Sequence, residues 1–69
     1  MTIRDFFAGF SLDIANVTIC TESYDTLLCG TVHFNSQSDY RLEELDKIGD
    51  RLIKSWFVNL HGELFITIF

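Results

Sequence analysis

The chain has 69 residues, 48% of them hydrophobic and seven of them Phe, with ten acids against five bases for a net charge of −5. That composition excludes intrinsic disorder, and the acidic balance argues against a binder of phosphate backbones, which runs on clustered Lys and Arg. A domain this small buries only about 60% of the surface its unfolded chain exposes, and below roughly 70–80 residues a lone core usually needs a disulfide, a metal or an oligomeric partner.

In chain order, Ile3, Phe6, Phe7 and Phe10 fall at helical spacing, which predicts a first helix over residues 2–10. Thr2 is placed to cap it, and Asp5 lies in its first turn, where the helix dipole favours negative charge. Residues 16–21 alternate with Val17 and Ile19 on one side, and residues 26–34 alternate with Leu28, Gly30, Val32 and Phe34, so both read as half-buried strands. Ser38 or Asp39 caps a second helix with Leu42, Leu45, Ile48 and Leu52 as its stripe, Gly49 as an early stop and Glu43 paired with Lys47. Residues 53–58 and 63–69 then form a second hairpin around His61-Gly62. The expectation is one α+β domain over residues 1–69. Its order is αββαββ, two helix–hairpin units forming a four-stranded, mainly antiparallel sheet with the helices packed on it.

Two cysteines and two histidines are the obvious candidates for chemistry. If Val17 and Ile19 share a side with Leu28, Gly30 and Val32, a turn over residues 23–26 sets Cys20 directly opposite Cys29. His33 is then about 13 Å along the strand from Cys29, at 3.3 Å per residue. That distance excludes a hydrogen-bonded Cys–His pair and a zinc site made of Cys20, Cys29 and His33. A cross-strand disulfide is geometrically conceivable but opposed by a reducing cytosol, and two small buried hydrophobes is the simpler reading. No phosphate-binding loop and no close carboxylate pair is evident, so the expectation is a non-enzyme with no catalytic residue, cofactor or metal. The start lacks a secretory signal and no run is long enough to span a bilayer, so a cytoplasmic location without membrane contact is expected.

The same alternation in the second hairpin, with a two-residue turn, sets Phe57 against Ile66 and Val58 against Phe65. With both helices on the Leu64, Ile66 and Ile68 side, the opposite face carries Cys20, Leu27, Cys29, Trp56, Val58, Phe65 and Phe69 with only Thr18, Thr31, His33 and Thr67 to wet it, where an open antiparallel sheet should be largely polar. Such a face predicts a homodimer, or a docking surface for another protein. Helices on opposite faces would also cover it, at the cost of a thin three-layer body. Asp39, Glu43, Glu44, Asp46 and Asp50 form an acidic surface able to steer a partner. A small-ligand pocket at a dimer interface, lined by Gly30, His33 and Trp56, is the competing expectation, with a nucleotide as the ligand class.

The segments "MTIRDFFAGF", "NVTIC", "TLLCGTVHF", "YRLEELDKIGDRLI" and "KSWFVNLHGELFITIF" together resemble the small accessory proteins of phages and prophages of low-GC Gram-positive bacteria. The resemblance covers the whole chain as a pattern of hydrophobic spacing. It implies a host-takeover factor in the bacterial cytoplasm, such as an anti-CRISPR-type inhibitor that occupies the surface of a host defence protein. A structural accessory role is the alternative, and the resemblance carries no functional residue across.

Overall fold

The computed structural model describes residues 1–36 and 38–69. Its elements are α1 (Ile3–Ala8), β1 (Ile14–Thr21), β2 (Thr26–His33), α2 (Tyr40–Lys47), β3 (Ile53–Val58) and β4 (Leu64–Ile68), the expected αββαββ order. The four strands lie in the order β2-β1-β4-β3. Both hairpins are antiparallel, but β1 and β4 run parallel down the middle, so the sheet is mixed. The long connection through α2 makes a parallel central pair possible, since parallel neighbours need a crossover.

Both helices lie on one side of the sheet, against a core of Val17, Ile19, Leu28, Val32, Leu64, Ile66 and Ile68 that Ile3 of α1 and Leu45 of α2 complete. The layer is thin, and it is extended by aromatic packing. Phe7 and Phe10 meet Phe34 at centroid distances of 5.4 and 5.2 Å, and Phe6 meets Trp56 edge-on at 5.3 Å. These stacked, tilted and edge-on contacts add to the area they bury.

The helix ends follow their local chemistry. Thr2 and Asp5 form a reciprocal capping box, while the Ile3 and Arg4 amides donate to the Arg51 and Gly49 carbonyls, so the first amides of α1 are satisfied by the chain it docks on. Helix α2 stops at Lys47, before Gly49, and Leu52 leaves the stripe to form a bridge with Thr2 instead. Lys47 pairs with Glu44 at 3.5 Å rather than with Glu43, a small difference on an exposed face where such pairs are weak.

Register is where structure and expectation part. Each hairpin closes on a three-residue turn whose last residue has positive φ, with Tyr24 at 66° in the first and Gly62 at 77° in the second. The closing pairs match: the Thr21 amide donates to the Asp25 carbonyl, and the Asn59 amide to the Glu63 carbonyl. This is the common three-residue hairpin loop, in which a type I turn is followed by a left-handed residue.

In the first hairpin a bulge follows, with Leu27 as the extra residue, so Val17 and Ile19 recover the same side as Gly30 and Leu28. The expected face is kept, but the pairing slips, by two at Cys29, which faces Thr18, and by three at Cys20, which lies beyond the bulge and faces Thr26. In the second hairpin the turn holds one residue more than the two-residue form, and Val58 pairs with Leu64, Phe57 with Phe65 and Trp56 with Ile66. A slip of one reverses every side chain of a strand. Trp56 and Val58 therefore lie on the helix side with Leu64 and Ile66, and Phe57 and Ser55 lie on the open side. Only Ile53 returns to the core side, because a bulge at Lys54 restores it.

Candidate functional site

The seven residues expected to share one apolar sheet face are divided by this geometry. Cys20, Cys29 and Phe65 are on the open face, with Leu27 at the edge bulge. Phe69 lies beyond β4, exposed, and its amide donates to the Leu52 carbonyl. Trp56 and Val58 have crossed to the helix side. What they leave behind is wetter than expected, because Asn16 and Ser55 join Thr18, Thr31, His33 and Thr67 on the open face. The Thr31 hydroxyl donates to Asn16 Oδ1 at 2.6 Å, the Thr18 hydroxyl donates to Cys29 Sγ at 3.6 Å, and Cys20 Sγ lies 3.8 Å from the Thr67 hydroxyl. The apolar remainder includes Ile14, exposed opposite His33, and the cross-strand pair Phe57 and Phe65, stacked at 5.2 Å.

Both thiols are free. With Cys29 opposite Thr18, the two cysteines are diagonal neighbours, and diagonal separations of about 7–8 Å are too long for a disulfide. Among the described residues no group of three or more His, Cys, Asp or Glu side chains is disposed to hold a metal ion.

The expected ligand-lining residues are also separated. Gly30 and Trp56 are on the two edge strands, about 14 Å apart at about 4.8 Å per strand spacing. His33 and Gly30 point to opposite faces, as residues an odd number apart along an unbroken strand must.

The acidic surface is mostly committed to the fold. Asp39 caps α2, accepting the Arg41 amide at 2.9 Å, and also accepts the His33 amide at 2.8 Å. Those two amides, His33 first, hold its carboxyl below the usual range. Asp46 and Asp50 both pair with Arg4, docking α1 against the end of α2, and Glu44 pairs with Lys47. Among the described residues, no ion pair involves Glu43.

What the structure does bring together lies beside β3. Trp56, Phe57 and Val58 are 54%, 57% and 56% exposed, with large apolar side chains on both faces of one strand. On the helix side an open groove of about 360 Å³ is lined by Phe6, Phe10, Leu12, Ala15, Trp56 and Val58. Leu60, in the adjoining turn, is fully exposed. Neither helix covers this end of the sheet: α2 packs on β2, and α1 reaches β3 through Phe6. Sequence reasoning placed Trp56 and Val58 at an interface but on the wrong face, and missed Phe6, Phe10 and Leu12. The signal available was Asn59, whose side-chain oxygen accepts both the His61 and Glu63 amides and so fixes the three-residue turn.

Among the described residues no helix is long and apolar enough to cross a membrane. Comparison with family models, with curated proteins and with solved structures finds no match to this chain.

Proposed function

We propose that this chain is a small protein-interaction module that acts by covering part of a larger protein's surface. The observation that carries this reading is the groove beside β3, walled by aromatic and aliphatic side chains and free of any ionisable group that could do chemistry. Exposed apolar patches of this kind on small proteins mark interaction sites, and Trp is the residue type most enriched among binding anchors. Within the class that the sequence pattern resembles, the matching role is inhibition of a host defence protein in the bacterial cytoplasm, by occupation rather than by catalysis. The competing role, a dimer that sequesters or senses a nucleotide, has less support, because Gly30, His33 and Trp56 do not line a common pocket.

The test is expression in a low-GC Gram-positive bacterium whose CRISPR–Cas system restricts a targeted phage. The inhibitor reading predicts restored plaque formation, and loss of that effect for Val58→Lys, which puts a charge into the groove wall at an exposed position. Continued restriction of the phage by cells expressing the native chain would contradict it. A nucleotide-dependent rise in melting temperature would favour the ligand-binding role instead.

A further inference from the structure

We infer that β3 is the pairing edge of a homodimer, in which two copies join antiparallel about Phe57 into a continuous eight-stranded sheet. This goes beyond the groove as a binding site: it concerns the backbone of the strand, and the occupant is a second copy of this chain.

The ladder between β3 and β4 determines which backbone groups of β3 are free. In an antiparallel ladder, opposed residues alternate between pairs that exchange both hydrogen bonds and pairs that exchange none. The Asn59 amide bonds the Glu63 carbonyl, so Phe57 and Ser55 are the residues of β3 bonded to β4. Trp56 and Val58 therefore turn their amides and carbonyls away from β4, toward the outer edge. Among the described residues no backbone group outside the sheet takes up these four positions. Among the described residues the outer edge is occupied at the start of β3, where the Ile53 amide donates to the Met1 carbonyl and Thr2 bridges Leu52.

That short stretch is self-complementary in one register. With Phe57 facing Phe57 of a second copy, Trp56 lies opposite Val58 of that copy, and their free groups form two hydrogen bonds, repeated by the twofold axis. The side chains agree with the backbone. Phe57 and Phe65 of each copy would form one aromatic row across the open face, and each Trp56 would lie beside the other copy's Val58 on the helix side, joining the two grooves.

Charge permits this approach. The chain carries ten acids, but none of them, and no base, lies between Ser55 and Leu60, so two copies of net charge −5 meet along an uncharged segment. Edge strands are commonly blunted by an outward Lys. The only candidate on β3, Lys54, instead pairs with Glu22 at 2.8 Å, beyond the end of β1 and two strands inward, so it leans over the sheet rather than across the edge.

The register makes a sharp test. In a Cys20→Ser, Cys29→Ser background, Phe57→Cys places two thiols in a pair with no mutual backbone bonds, where Cα atoms are about 4.5 Å apart and within disulfide range. Mild oxidation should convert most Phe57→Cys chains to a covalent dimer. Trp56→Cys should react much less, because the two copies of residue 56 are diagonal neighbours. Equal cross-linking at both positions would overturn the register. Sedimentation of the native chain should show the 8.0 kDa monomer giving way to a species of twice that mass as concentration rises. Val58→Pro, which removes an outward amide, should stay monomeric. A native chain that stays monomeric to millimolar concentration overturns the dimer and leaves the groove reading untouched. Loss of plaque rescue by Leu12→Lys, which puts a charge into the groove away from β3, with dimerisation intact would separate the two in the other direction.

Discussion

Along β2 the outer edge is interrupted by a bulge at Leu27, by Gly30 at a φ of 135°, and by the Asp39 carboxylate that accepts the His33 amide, whereas β3 runs from Trp56 to Val58 with no such device. The neighbouring helix makes the difference. Helix α2 packs on β2, its capping residue closes one edge amide, and Arg41 lies over Gly30 so closely that a Cβ there would come within 2.8 Å of the guanidinium. Over β3 the ring of Phe6 reaches across to Trp56, and the strand keeps exposed apolar side chains on both faces. Proteins usually blunt an exposed edge with bulges, charges or cover, and here β2 is treated that way along its length, whereas β3 is so treated at its start, by the bulge at Lys54 and the Met1–Thr2 segment, and is left open from Trp56 to Val58 among the described residues. An edge left open in an otherwise guarded sheet is the physical mark of an interface.

Proline placed in each edge strand should give the largest difference between the two edges. Val32 is fully buried, and its amide belongs to the β1–β2 ladder, so Val32→Pro loses a hydrogen bond and core packing together. That should cost more than about 3 kcal/mol, a large share of a small domain's stability, and the cooperative melt should disappear. Val58→Pro removes an amide that faces solvent, a place where edge strands tolerate Pro, so the dilute monomer should melt within about 1 kcal/mol of the native chain. Similar damage at both positions in thermal melts would mean that the β3 edge is not open.

Gly30→Ala is next in size. Its backbone conformation favours glycine, and the strain on Ala should cost about 1–2 kcal/mol, measurable by urea unfolding. Full stability in that variant would show that the Gly30 backbone accepts a side chain without strain. Asp39→Ala should lower the melting temperature, by uncapping α2 and freeing the His33 amide, and it should remove a pH dependence as well. The Asp39 carboxyl titrates below its usual value near 3.8 in the folded state, so its contribution is complete above that pH and is lost as pH falls through the lower folded value. A native chain and an Asp39→Ala variant with identical acid-unfolding profiles would contradict this. The smallest effect is expected at the turn before β2: Tyr24 holds a left-handed conformation that glycine holds in the turn after β3, so Tyr24→Gly should stabilise by about 1 kcal/mol in the same assay.

Much of this architecture was legible from spacing alone. The helices, the strands and the core positions Val17, Ile19, Leu28, Val32, Leu64, Ile66 and Ile68 follow from periods of 3.6 and 2, because burial on one side imposes those periods on the chain. What spacing does not carry is the parity of a turn. In the first hairpin the three-residue loop and the bulge at Leu27 compensate, so the predicted face stands although Cys20 and Cys29 are not opposed. In the second hairpin the bulge comes at the far end, after Trp56 and Val58 have already changed sides, and only Ile53 is restored. One residue of loop length thus moved the candidate site from the open face to the groove beside α1. The acids of α2 were visible as a group, but their engagement with Arg4, Lys47 and backbone amides depends on docking between helices that no local pattern encodes.

Amide hydrogen exchange across β3, followed residue by residue in a dilute and in a concentrated sample, tests both the inverted register and the open edge. In the dilute sample the Ser55 and Phe57 amides should exchange slowly and those of Trp56 and Val58 quickly, and at high concentration Trp56 and Val58 should become protected as well. Protection of Trp56 and Val58 at every concentration, with Phe57 exchanging freely, would contradict the account.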